Sequence, residues 1–270
     1  MNEIQRPHSG DLVKAAGERH ELSPSSVAAL QDSGVLKQIE SGMSGSQTAT
    51  KPGRIMLVTL DPDDSGSIFT DDEKVLRPWT DKSDSIVAGH NELLQGMLDG
   101  PEGRRTMLHT RYLNGTVLNP FMPLALCRKM SRSNYSASYG GTPLFGQTLV
   151  TLGIVVAKTE ELQDRGARVT TATLIMTDGE ATDDTPTSRR LLASVVADMR
   201  ESGHIIAGMG IGRGGWFHQT FDAMGIDPEL VFEAKDINAI LEAFRMFGRK
   251  VHELSAGSSV EVGRPTVFHM

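Results

Sequence analysis

Apolar residues along this chain alternate between two rhythms. From Ile55 to Leu60 they form a nearly continuous run, Ile55-Met56-Leu57-Val58-Thr59-Leu60, the pattern of a central strand buried on both faces. Between Ile86 and Leu98 they recur at helical spacing, and Gly100 stops the pattern. Thr106 to Leu113 and Thr116 to Leu118 flank Asn114-Gly115, a dipeptide that tolerates positive φ and predicts a tight hairpin with one antiparallel edge strand. The rhythm then repeats. Helices are predicted over Pro143 to Gln163, Ser188 to Glu201, Trp216 to Met224 and Asp236 to Leu254, with strands at Arg168 to Thr177, His204 to Ile211 and Leu230 to Glu233. Strands alternating with helices predict an α/β fold: a doubly wound, mostly parallel six-stranded sheet with one antiparallel edge strand and helices on both faces.

Residues 1–53 read as an N-terminal extension. Ser23-Pro24 can open a helix, with Val27, Leu30, Leu36 and Ile39 on its apolar side and Gly34 weakening its middle. Ser41 to Gly53, rich in Ser, Gly and Thr, reads as a linker. Residues 54–254 then form the α/β domain, and 255–270 a polar tail ending Val267-Phe268-His269-Met270.

Charge and composition narrow the function. Lys and Arg number 27 against 34 Asp and Glu, a net charge of −7 that disfavours nucleic acid and anionic lipid. The sole cysteine, Cys127, lies in the apolar stretch Leu124-Ala125-Leu126-Cys127 and reads as a buried small hydrophobe. Met1 to Asp11 lacks the apolar run of an export signal, and no stretch is long and apolar enough for a membrane span. The expectation is a cytoplasmic protein.

Candidate chemistry gathers in three polar segments at predicted carboxyl ends of strands, where open parallel sheets bind ligands. These are Asp63-Asp64-Ser65-Gly66-Ser67, Gly140-Gly141-Thr142-Pro143 and Thr177-Asp178-Gly179-Glu180. Asp63, Ser65, Ser67, Thr142 and Asp178 together supply two carboxylates and three hydroxyls, suited to a small hard cation that takes about six oxygens. Alternate residues in a tight loop aim at one point, and Pro143 at the first helical position would make Thr142 the cap.

In these motifs the chain resembles the von Willebrand factor type A (VWA) family, whose metal-ion-dependent adhesion site (MIDAS) combines D-x-S-x-S with a distant Thr and a distant Asp. The resemblance covers about residues 54–254. It implies a Rossmann-like fold in which Ser65, Ser67 and Thr142 bind Mg²⁺ (Mn²⁺ or Ca²⁺ also fitting) directly, while Asp63 and Asp178 act directly or through water. One open coordination position would then take an Asp or Glu carboxylate of a partner protein. The expected function is an intracellular metal-dependent adaptor or scaffold rather than an enzyme, with a ring-forming ATPase as a partner that the resemblance suggests. Tyr135, Tyr139 and Trp79 are candidate partner contacts. The stretch Ile68 to Ser83 separates the first motif from its helix by more than the family pattern leads one to expect.

Three rival readings compete. Asp61 to Asp72 nearly fits a calcium EF-hand loop, but Arg54 to Leu60 reads as a strand where a helix is required, and Asp72 replaces the usual Glu. Gly210-Ile211-Gly212-Arg213-Gly214-Gly215 matches G-x-G-x-x-G, with Glu233 downstream, although a Gly-rich turn between strand and helix explains it as well. A metal-assisted hydrolase would use the same carboxylates, but no general base or nucleophile accompanies them in sequence. The eight histidines are scattered without metal-ligand spacing.

Overall fold

The computed structural model describes residues 7–47, 53–69, 82–138, 140–212 and 215–255. Six strands, β1 (Arg54–Pro62), β2 (Thr106–Arg111), β3 (Val117–Pro123), β4 (Arg168–Thr177), β5 (Ile205–Ile211) and β6 (Val231–Ala234), form one sheet in the order β3-β2-β1-β4-β5-β6. Only β3 runs antiparallel to its neighbour. The predicted doubly wound α/β architecture is the one the chain adopts.

β1 shows why its apolar run is continuous. Ile55 and Leu57 point into the core on one face, and Met56, Val58 and Leu60 into the core on the other. The second face is covered by α5 (Lys82–Asp99) and α9 (Ile237–Ser255), the first by α6 (Leu144–Gln163) and α7 (Pro186–Glu201).

α6 is buried on almost every side, because a further layer lies outside it. Three helices, α1 (Ser9–Glu18), α2 (Pro24–Leu30) and α3 (Ser33–Met43), lie in residues 1–53, and α1 and α3 pack against α6. Leu12, Val13, Ala16, Leu30, Ile39 and Met43 enter the same core as Leu152 and Val155. The single helix expected after Ser23 is split because the Asp32 side chain accepts from the amides of Gly34 and Val35, capping a new helix start. Contact between α3 and α6 is close enough to demand glycine. A Cβ on Gly153 would stand 2.3 Å from Ile39 Cδ1, and one on Gly42 would stand 2.2 Å from Ile154 Cδ1.

The hairpin between β2 and β3 is looser than two residues. Asn114 Oδ1 accepts from the Thr116 amide at 2.7 Å, and Gly115 takes φ 96°. β3 runs on to Pro123 despite Pro120, as an edge strand can, since a missing amide there disrupts no inner ladder. Gly210, which opens the G-x-G-x-x-G match, and Gly208 before it serve packing against α8 (Trp216–Ala223): a Cβ on Gly210 would meet the Phe217 ring at 2.1 Å, and one on Gly208 would meet Phe221 at 2.8 Å.

Candidate functional site at the carboxyl edge of the sheet

β1 and β4 end side by side, with Pro62 paired to Met176, so the loops after them start from one edge. The Asp63 amide still bonds the Met176 carbonyl at 2.9 Å. Asp63 is fully buried, and both its carboxylate oxygens are committed: Oδ1 accepts from the Ser65 amide at 2.7 Å, Oδ2 from the Thr177 hydroxyl at 2.7 Å. Burial nonetheless holds its pKa above the ordinary carboxylate value.

The chain then turns into the single-turn helix α4 (Gly66–Phe69), which swings Ser67 back toward Ser65 with their hydroxyls 3.0 Å apart. Ser67 Oγ donates to Asp178 Oδ1 at 2.6 Å, so the loops after β1 and β4 join there. Thr142 arrives from the loop before α6. A Cβ on Gly179 would lie 3.5 Å from Thr142 Oγ1 and 3.8 Å from Ser67 Oγ, which places both hydroxyls over the same glycine. All five residues selected from the sequence therefore converge.

Their supports differ from expectation in two places. Thr142 does not cap α6; Pro143 holds that position without a side-chain bond. The cap comes from Asp183, whose carboxylate accepts from the amides of Phe145 at 3.1 Å and Gly146 at 2.7 Å. Thr142 is fixed by its backbone instead, its carbonyl accepting from the Thr182 amide at 2.9 Å, which leaves the hydroxyl to the cluster. The second difference is Lys82, at the start of α5. Its ammonium donates to Asp178 Oδ2 at 2.7 Å and to the Ser67 carbonyl at 3.3 Å. Neither Asp183 nor Lys82 stands out in sequence, because neither lies in a motif.

Tyr135, expected at a partner surface, is buried at 1% exposure, and its hydroxyl donates to the Asp63 carbonyl. It braces the loop after β1, packed against Phe69 and Tyr112. Trp79 and Tyr139 lie outside the described residues, as does most of the stretch Ile68 to Ser83.

Below the cluster sits a buried charged layer. Asp61, wholly buried, has its pKa pushed up to about 7 by burial against the opposing pull of Arg111, and Asp64 is raised to about 6 by the same cause. Asp64 Oδ1 accepts from the Asn114 amide at 3.0 Å, tying this layer to the hairpin. These placements remove the EF-hand reading: Asp61 belongs to a strand and points into the core, where it can ligate nothing in the loop.

Among the described residues the donor set at the edge is rich in oxygen, with Lys82 as the cation bonded to it. A small hard ion would fit its chemistry of three hydroxyls and two carboxylates, of which Asp178 also pairs with the Lys82 ammonium. Among the described residues no group of three or more His, Cys, Asp or Glu side chains could hold a metal.

A doubly wound α/β domain with its polar loops at the carboxyl edge is thus the class defined by fold and site. No family model and no curated protein sequence matches the chain. Among solved structures it is similar to the pilus adhesin SpaC from Lactobacillus rhamnosus GG, at TM-score 0.55 and 10% identity over 78% of this chain and 32% of that one. The open conformation of SpaC gives TM-score 0.53 at 11% identity over 78% and 31%. The PilB minor pilin from Streptococcus sanguinis gives TM-score 0.50 at 12% identity over 77% and 63%. The chain therefore spans about a third of SpaC and under two thirds of PilB, and at these identities the likeness is one of fold.

These findings correct the family reading. The VWA resemblance rested on three short polar segments at strand ends, where open parallel sheets gather their ligand-binding loops whatever the family. No family model supports it, and the solved structures of similar fold are a pilus adhesin and a minor pilin. The intracellular metal-dependent adaptor gives way with it, as does the cytoplasmic placement, since the neighbours are a pilus adhesin and a minor pilin. No helix among the described residues is long and apolar enough to cross a membrane.

Proposed function

We propose that this chain is a binding domain of a cell-surface adhesive structure, with the loop face around Ser65, Ser67, Thr142 and Asp178 as its contact surface. The observation that supports this most is the convergence of three loops, distant in sequence, on one oxygen-lined point at the carboxyl edge, joined by the Ser67 to Asp178 bond of 2.6 Å. The likeness of fold to a pilus adhesin and a minor pilin agrees with a surface setting.

In this reading Ser65, Ser67, Thr142, Asp63 and Asp178 take part in holding a divalent cation, Mg²⁺ or alternatively Mn²⁺ or Ca²⁺. The ion would supply positive charge for a protein carboxylate, a contact that lends specificity to a polar surface. The reading includes no catalytic step, and the ATPase partner suggested by an intracellular setting has no place in it.

Two measurements test the proposal. Antibody against the chain should label intact cells of its source; labelling confined to lysed cells would overturn the surface assignment. Calorimetric titration with Mn²⁺ should show one binding event, lost in Asp178→Ala and Ser67→Ala. Binding that is absent, or that persists in both variants, would overturn the site.

A further inference from the structure

We propose that Lys82 is the resident cation of this site, a tethered ammonium that a free divalent ion must displace. The inference rests on the cation reading above and deepens it.

The ammonium sits among the oxygens that would hold an incoming ion. Asp178 divides its two oxygens between Ser67 Oγ at 2.6 Å and Lys82 Nζ at 2.7 Å, and the same Nζ reaches the Ser67 carbonyl at 3.3 Å. Lys82 thus contacts the two residues through which the β1 and β4 loops are joined. Its side chain is 12% exposed and that of Asp178 1% exposed, so this is no solvated surface pair. A lysine head is a compact point charge with three donors, and a pocket of converging oxygens receives it much as it would receive an ion.

Electrostatics explains why the chain needs it. Asp63 and Asp178 meet at the edge with Asp61 and Asp64 beneath them, while Arg111 lies on the Asp61 and Asp64 side. Desolvated carboxylates without a counter-charge are costly. Lys82 provides that charge at Asp178, where the Arg111 guanidinium is not among the bonded partners. Once a divalent ion is present, the two positive charges repel at short range, and Lys82 gives way to solvent. Lys82 therefore sets the ion concentration at which the site loads.

The test combines a variant with a probe of the unaltered chain. Mn²⁺ titration of Lys82→Met is expected to show binding about ten-fold tighter or more than in the wild type. In parallel, acetylation of the wild type by an amine-specific reagent, followed by mass spectrometry, should label Lys82 several-fold faster with saturating Mn²⁺ than with a chelator. Equal Mn²⁺ affinity in the two proteins, or a labelling rate indifferent to Mn²⁺ that the wild type demonstrably binds, would overturn the exchange and leave the cation site standing. Absence of Mn²⁺ binding in both proteins would instead overturn the site, and this inference with it.

Discussion

The Asp183 carboxylate accepts from the Gly146 amide at 2.7 Å, so the loop after β4 caps the helix that follows Thr142. With the Phe145 amide also bonded, two of the otherwise orphaned amides at the start of α6 are satisfied by a side chain 38 and 37 residues further along the chain. The neighbouring Thr182 amide holds the Thr142 carbonyl, so one short loop sets both the helix start and the hydroxyl. Asp183→Ala should therefore cost about 1 kcal/mol of stability, the usual loss of a cap. It should also weaken Mn²⁺ binding, although Asp183 is not in the proposed ligand set. Urea denaturation and calorimetry check the two effects. A stability loss with unchanged ion affinity would show that the cap does not position Thr142.

A second prediction concerns the layer formed by α1, α2 and α3. Replacing a mid-helix glycine by alanine ordinarily favours a helix by about 1 kcal/mol. At Gly153 the new methyl would stand 2.3 Å from Ile39 Cδ1 and 3.1 Å from Leu30 Cδ2, and overpacking of this kind costs roughly 1–3 kcal/mol. The steric effect should win, leaving Gly153→Ala less stable than wild type by about 1 kcal/mol. Ile39→Val removes the offending Cδ1, so the double variant should regain part of the loss. Additive effects in a thermal-denaturation cycle would mean that α3 does not press on α6.

Sheet and edge were legible in the sequence for a physical reason. Interior parallel strands such as Ile55 to Leu60 must be apolar on both faces, and the loops leaving them must be polar, so both announce themselves locally. Asp63, Ser65, Ser67, Thr142 and Asp178 could be selected together because doubly wound topology brings strand ends to one edge. What depends on distant partners was not legible. Ser9–Glu18 gave no separate signal, and the Asp32 cap that divides the next two helices lies inside one continuous apolar spacing. Tyr135 carries no local sign that its hydroxyl turns inward to Asp63. Lys82 follows a polar stretch, and nothing in its neighbours indicates Asp178, 96 residues on.

Asp63 supports a third prediction. Thr177→Val keeps the side-chain shape but removes the hydroxyl that donates to Asp63 Oδ2 at 2.7 Å, leaving a buried carboxylate oxygen short of a donor. A charge-assisted bond in such a place is worth about 1.5–3 kcal/mol. Tyr135→Phe removes only a neutral bond to the Asp63 carbonyl and should cost nearer 1 kcal/mol. Chemical denaturation of the two variants should rank them in that order, and the reverse ranking would place the main support of the loop at its backbone.

The last prediction follows from His109, a fully buried residue of β2 whose ring stacks on Phe121 at 4.9 Å. Burial, with the Arg111 guanidinium adding to it and the Asn119 backbone opposing it, lowers its pKa from 6.5 to about 3. The folded chain thus keeps the imidazole neutral at pH values where the unfolded chain protonates it. Below about pH 6.5 the unfolded state binds the extra proton, so this group's contribution to stability, complete above that pH, falls by about 1.4 kcal/mol per unit until the folded value is reached. His109→Phe abolishes the effect while keeping a ring against Phe121. Carboxylates with raised values, such as Asp61, slope the opposite way in wild type and variant alike and cancel in the difference. Relative to wild type, His109→Phe should gain about 2 kcal/mol between pH 7.5 and pH 5. Urea denaturation at the two pH values measures it, and a stability difference that does not change with pH would mean that His109 reaches solvent and titrates normally in the folded chain.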